Sequence, residues 1–117
     1  MGRKRRHWFC PIAAAESRAW YWLRKNSQRR HIPVTLTFTR FKDLIQGACS
    51  YCGAPPRNKL KYKFYIFFYQ GIDRKNNALG YTRENSIPCC GKCNGIKGNI
   101  LSHDEMIAVA LVLKAAA

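Results

Sequence analysis

The chain reads as an α+β protein: a short hairpin-and-helix core held together by cysteines, with helices before it and one after it. Three observations predict this. Two C-x-x-C pairs, Cys49 with Cys52 in ACSYCG and Cys90 with Cys93 in CCGKCNG, have the spacing that lets both sulfurs of a pair reach one ion at about 2.3 Å. The stretch from Gly71 to Gly98 alternates strand-like and turn-like residues before it turns helical. On either side of the cysteine pairs, apolar residues recur at helical spacing.

Size and composition narrow the classes. At 117 residues, one domain over 1–117 is expected. It divides into a basic arm at 1–12, a helical and strand lead-in at 13–48, a metal-bound core at 49–101 and a C-terminal helix at 102–117. A core of this size is thin, so a structural metal would add cohesion that packing alone does not supply. Six cysteines allow three disulfides, but two C-x-x-C pairs fit thiolate ligation better than a secreted disulfide framework. No secretory signal or membrane span is visible, because the apolar runs fall short of the ~18 residues a spanning helix needs. A reducing intracellular setting is expected, the cytoplasm of a bacterial or phage-infected cell or an organelle matrix. Twenty-one Lys and Arg against six acids give a formal charge of +15, which favours a polyanion, nucleic acid above all. No membrane partner is expected, since no helix sets its charge on one face opposite a broad apolar one.

In order along the chain, Arg3, Lys4, Arg5 and Arg6 form a cationic arm suited to phosphates. A helix is predicted from Ala13 to about Arg30, with Arg24, Lys25, Arg29 and Arg30 on its cationic side and at least one of Trp20 and Trp22 in the core. Val34 to Thr37 has the alternation of a short strand, and Thr37 caps a helix over Phe38 to Gln46. The first cysteine knuckle follows. Lys59, Lys61 and Lys63 then alternate with apolar residues and lead into Tyr65 to Tyr69, a strand with one basic face. Gly71 to Arg74 continues or restarts a strand, Asn76 to Gly80 is turn chemistry, and Ile87 to Cys89 is a short returning strand. After Cys93 a helix is expected to start between Asn94 and Lys97. Ser102 and Glu105 form a capping box before the apolar helix Met106 to Leu113, which is expected to pack against the rest.

Two knuckles, the second inside ENSIPCCGKCNGIKG, with IDR on the strand between them, resemble the HNH endonucleases, the ββα-metal nuclease family, in the four-cysteine zinc-bound form of small phage-type members. The resemblance covers about Cys49 to Gly98. It implies that Cys49, Cys52, Cys90 and Cys93 hold a structural zinc, a closed site that supports the fold and does no hydrolysis. It implies that Asp73 and Asn94 are protein ligands of a catalytic Mg²⁺ or Mn²⁺, and that Asn85 braces the hairpin. Lys92 and Lys97 join the phosphate contacts. The activity implied is hydrolysis of phosphodiester bonds, in DNA more than in RNA. One position departs from the family: Arg74 stands where the catalytic His belongs, and a guanidinium cannot accept a proton from water. Arg74 is then left an electrostatic role at the phosphate. Three readings stay open: an active enzyme whose base lies elsewhere, with Lys75 and His103 nearest in sequence; a silent fold kept as an RNA-binding part of a ribonucleoprotein particle such as a ribosome; or another residue in the base position.

Overall fold

The computed structural model describes residues 10 to 116; the arm residues Arg3, Lys4, Arg5 and Arg6 lie outside them. Four helices and four strands follow in the order α1 (Pro11–Arg29), α2 (Phe38–Ile45), β1 (Asn58–Tyr62), β2 (Tyr65–Tyr69), β3 (Gly71–Arg74), β4 (Ser86–Cys89), α3 (Gly91–Lys97) and α4 (His103–Ala116). Among the described residues, no helix is long and apolar enough to cross a membrane.

Pro11 opens α1, where its missing N–H costs nothing. The helix therefore starts inside the stretch read as arm. Ala15 and Ala19 are buried against the core, and of the two tryptophans only Trp20 packs there, tilted on Phe41 with ring centroids 4.9 Å apart, while Trp22 is half exposed. The Thr37 hydroxyl caps α2 by accepting from the Arg40 amide at 3.1 Å, as the sequence predicts.

Two antiparallel hairpins carry the middle of the chain. The strand expected from Lys59 into Tyr69 is two strands, broken by a turn at Lys63 and Phe64, with Lys63 at φ 55°. Alternation survives across the break because Tyr62 pairs with Tyr65, which keeps Leu60 and Phe67 on one face. Gly71 restarts a strand: β3 pairs with β4 so that Asp73 lies opposite Ile87 and Arg74 opposite Ser86. The strand expected at Val34 to Thr37 shrinks to a single bridge from Val34 to Tyr81, because its partner is a loop and not a sheet edge. Gly80 permits that contact, since a Cβ there would strike the Pro33 carbonyl oxygen.

The core forms in two parts. One gathers α1, α2 and the first hairpin around Phe41, Leu44, Ile45, Phe67 and Ile72. The other gathers Tyr51, Cys49, Cys89, Cys90 and Cys93 against Met106 and Ala110 of α4. The last helix packs against the rest, as expected, through Met106 and Ala110, on one side, and Ile107, Leu111 and Val112 remain exposed. Its capping box forms both ways, Ser102 N–H to Glu105 at 2.8 Å and Glu105 N–H to the Ser102 hydroxyl at 3.0 Å.

Candidate active site and metal centre

Helix α3 organises both functional clusters. It begins at Gly91, earlier than the spacing predicts, because the Cys90 side chain caps it and accepts from the Cys93 amide at 3.4 Å. Asn94 is consequently inside the helix, its amide bonded to the Cys90 carbonyl, and not at the free N-terminal amides.

The first cluster lies at the N-terminal end of α3. In the upstream knuckle the Cys49 amide donates to Ala54 and the Gly53 amide to Cys49, a tight return that Gly53 makes with φ 79°. The Ser50 amide donates to Pro88, which fastens this knuckle to β4. The four sulfurs of Cys49, Cys52, Cys90 and Cys93 come within 4.8 Å of one another. All are free thiols, and Cys52 and Cys90 stand 3.6 Å apart. Tetrahedral bonds of about 2.3 Å to one ion require sulfurs about 3.8 Å apart, so the set fits a structural zinc in both number and spacing. Burial opposes ionisation of Cys49, but backbone bonds from Cys52, Cys90 and Tyr51 outweigh it and bring this thiol down to about 6. Burial raises Cys90 and Cys93. Cys89, fully buried beside them, is pushed up by burial and then by the charge of Cys49, and it lies outside the four-sulfur set.

The second cluster lies at the other end of α3, around Asp73. Its carboxylate is 5% exposed. Oδ2 accepts from the Tyr51 hydroxyl at 2.8 Å, and Oδ1 stands 3.5 Å from the ammonium of Lys97, which has no exposed surface at all. Lys97 also donates to the Arg74 carbonyl at 3.1 Å and to Asn77 Oδ1 at 3.4 Å. Lys97, read from sequence as a phosphate contact, is therefore a buried counter-charge. The four-residue step from Cys93 to Lys97 puts both on the inner face of α3, and that step is the signal in the sequence that pointed inward.

Tyr51, between the first pair of cysteines, is a site residue that the motif spacing does not reveal. Its hydroxyl donates to Asp73, and the same oxygen lies 2.9 Å from His103 Nδ1. Burial, and then the bond to Asp73, raise the Tyr51 hydroxyl well above its ordinary value. His103 is half buried and lines a cleft of about 530 Å³ with Lys75, Asn76 and Asn77.

Arg74 is committed to the backbone: its guanidinium donates to the carbonyls of Asn77 and Leu79, each at 2.9 Å, and lies over the Tyr81 ring. Asn85 pins the same loop. Its Oδ1 accepts from the Asn76 amide at 2.9 Å, and its Nδ2 donates to Asn76 and Gly80. Asn94 is exposed on α3, while Asp73 turns inward to Tyr51 and Lys97. Of the cations assigned to phosphates, Arg24, Lys25, Arg29, Arg30 and Lys92 lie at the surface. Arg30 and Arg74 line one cleft of about 550 Å³.

No family model matches the chain. Over 82 residues it is 34% identical to an uncharacterised protein of Acanthamoeba polyphaga mimivirus; the match takes in 70% of this chain and spans 14% of the viral protein's length. The structure superposes on that of the rare-cutting HNH restriction endonuclease PacI with a TM-score of 0.69 and 27% identity, over 86% of this chain and 78% of the other. With its hairpin-helix unit, that likeness and four cysteines placed to hold one metal ion, the chain has an HNH-type fold.

Proposed function

We propose that the protein binds DNA and hydrolyses its phosphodiester bonds. The observation that carries this reading is the Asp73 cluster set into an HNH-type hairpin and helix like those of a DNA-cutting enzyme. The +15 charge supplies the attraction to phosphates. Four cysteines in this setting hold zinc, which stabilises the fold in a reducing compartment.

Asp73, the Arg74 carbonyl and Asn77 Oδ1 converge on one buried point, which the Lys97 ammonium fills. A carboxylate, a carbonyl and an amide oxygen are the donor types that a Mg²⁺ or Mn²⁺ ion takes, so these three would fit such an ion once Lys97 gives way. When bound, the ion supplies charge stabilisation at the phosphate. The chain's residues do the rest. Arg74, fixed by the Asn77 and Leu79 carbonyls, orients the loop and adds positive charge; the base is His103, whose Nδ1 lies beside the Tyr51 hydroxyl.

The test is to incubate the zinc-loaded protein with plasmid DNA, with Mg²⁺ or without any added divalent ion. Metal-dependent nicking that disappears in Asp73→Ala is the expected result; tight binding without nicking defeats the enzymatic reading. That second outcome would suit a silent DNA-binding protein, favoured by one observation: Asp73 is already neutralised by Lys97.

A further inference from the structure

The outer face of the β1–β2 hairpin has no role in the chemistry above. Register places Lys59 opposite Phe68 and Lys61 opposite Ile66, and all four are exposed. At the tip, Phe64 is 104% exposed, as open to solvent as a ring can be. An aromatic ring held in water at the end of a two-residue turn contributes nothing to folding, since it buries no surface. The inner face, with Leu60 and Phe67, already holds the hairpin to the body. Phe64, Ile66 and Phe68 are thus apolar surplus, displayed on a projecting element.

Charge decides what covers it. No acidic residue occurs between Asp43 and Asp73, so the hairpin and its flanks are wholly cationic or neutral. Stacking the face on a second copy would bring Lys59 and Lys61 against their own counterparts, which electrostatics disfavours. A polyanion with apolar surfaces between its charges satisfies both the lysines and the rings. Beside the tip, a groove of about 450 Å³ lined by Arg18, Tyr21, Trp22 and Tyr62 continues the same chemistry, with the Arg18 guanidinium 5.3 Å above the Tyr62 ring.

We infer that the β1–β2 hairpin is a DNA-deforming element: Lys59 and Lys61 contact duplex phosphates while Phe64 enters between adjacent base pairs and partly unstacks them. This rests on the DNA-binding reading above and adds a contact remote from Asp73. An apolar wedge of this kind unwinds and kinks the duplex at the expense of base stacking, offset by the wider contact that follows.

Unwinding can be read without knowing the sequence preference. Closed-circular plasmid is relaxed by a metal-independent topoisomerase in buffer without chelator and without added Mg²⁺ or Mn²⁺, with the zinc-loaded protein present; the shift in linking number is then measured. Affinity for a labelled duplex is followed at several salt concentrations. Wild type is expected to shift the linking number. Phe64→Ala is expected to abolish the shift and weaken binding about tenfold with an unchanged salt slope, because stacking carries no counterion release. Lys59→Gln with Lys61→Gln is expected to lower the slope by about two, one for each phosphate left without its lysine. Phe64 buries no surface in the fold, so its removal leaves folding intact. A wild-type shift preserved in Phe64→Ala overturns the inference while leaving DNA binding standing. Conversion of a dimer to a monomer by Phe64→Ala assigns the face to a second copy and overturns it as well. Absence of any wild-type DNA binding defeats the proposed function and this inference together.

Discussion

The two ends of α3 solve the problem of buried charge in opposite ways. At the N-terminal end four sulfurs crowd within 4.8 Å, a set placed to take an ion from outside. At the C-terminal end the charge of Asp73 already has a partner, for Lys97 reaches in from the last turn and fills the point where oxygens converge. The first set is placed to take an ion; the second already holds its counter-charge. A single seven-residue helix serves both clusters because Cys93 and Lys97 share its inner face.

The contrast can be broken most forcefully at the sulfurs. Stripping zinc with a chelator, or Cys93→Ala, is expected to abolish cooperative unfolding and NMR dispersion, since structural zinc contributes on the order of 10 kcal/mol to small domains. A chelated protein that keeps its melting transition would show that packing alone suffices. Next in size, Lys97→Met leaves Asp73 buried without its partner and is expected to cost about 3–5 kcal/mol in chemical denaturation. Adding Asp73→Asn should return much of that loss. If the double variant is no better than the single one, the pair is not the reason.

His103→Ala is expected to lower the turnover of a nicking enzyme by about 100-fold or more while leaving duplex affinity unchanged. Equal loss of both would reduce His103 to a packing residue. Smaller again, Tyr51→Phe removes the hydroxyl between Asp73 and His103 and should cost about 1–3 kcal/mol of stability. The smallest effect is in pH. Cys49 is held at about 6, whereas burial raises Cys90 and Cys93, so these two carry protons near neutrality. Zinc displaces them, and its affinity must rise with pH and fall as pH drops, with at least two protons released per ion in buffer-exchange calorimetry. Zinc uptake with no proton release would contradict this assignment.

Much of this is legible in the sequence. The C-x-x-C pairs, Thr37 as a cap and the Ser102–Glu105 box act over three or four residues, so spacing alone encodes them. The break at Lys63 and Phe64 is hidden because the turn keeps period-two alternation running through it, and no Gly or Pro marks it. The Val34 strand fails for the opposite reason: its residues favour extension, but no strand edge lies beside it.

What the sequence determined by itself, then, is the kind of protein: an α+β chain with a four-cysteine cluster, a hairpin-helix unit and an excess of cations. The partners of its charges were decided by the tertiary structure. Lys97 reads as one more surface cation in a string of letters, and only the docking of α3 on β3 turns it inward to Asp73. Tyr51 and His103 lie 52 residues apart, and α4 must fold back on the cysteine cluster before they touch. Caps and knuckles are local, so their physics is written locally. A buried ion pair depends on which surfaces exclude water, and that is settled only when the whole chain has packed.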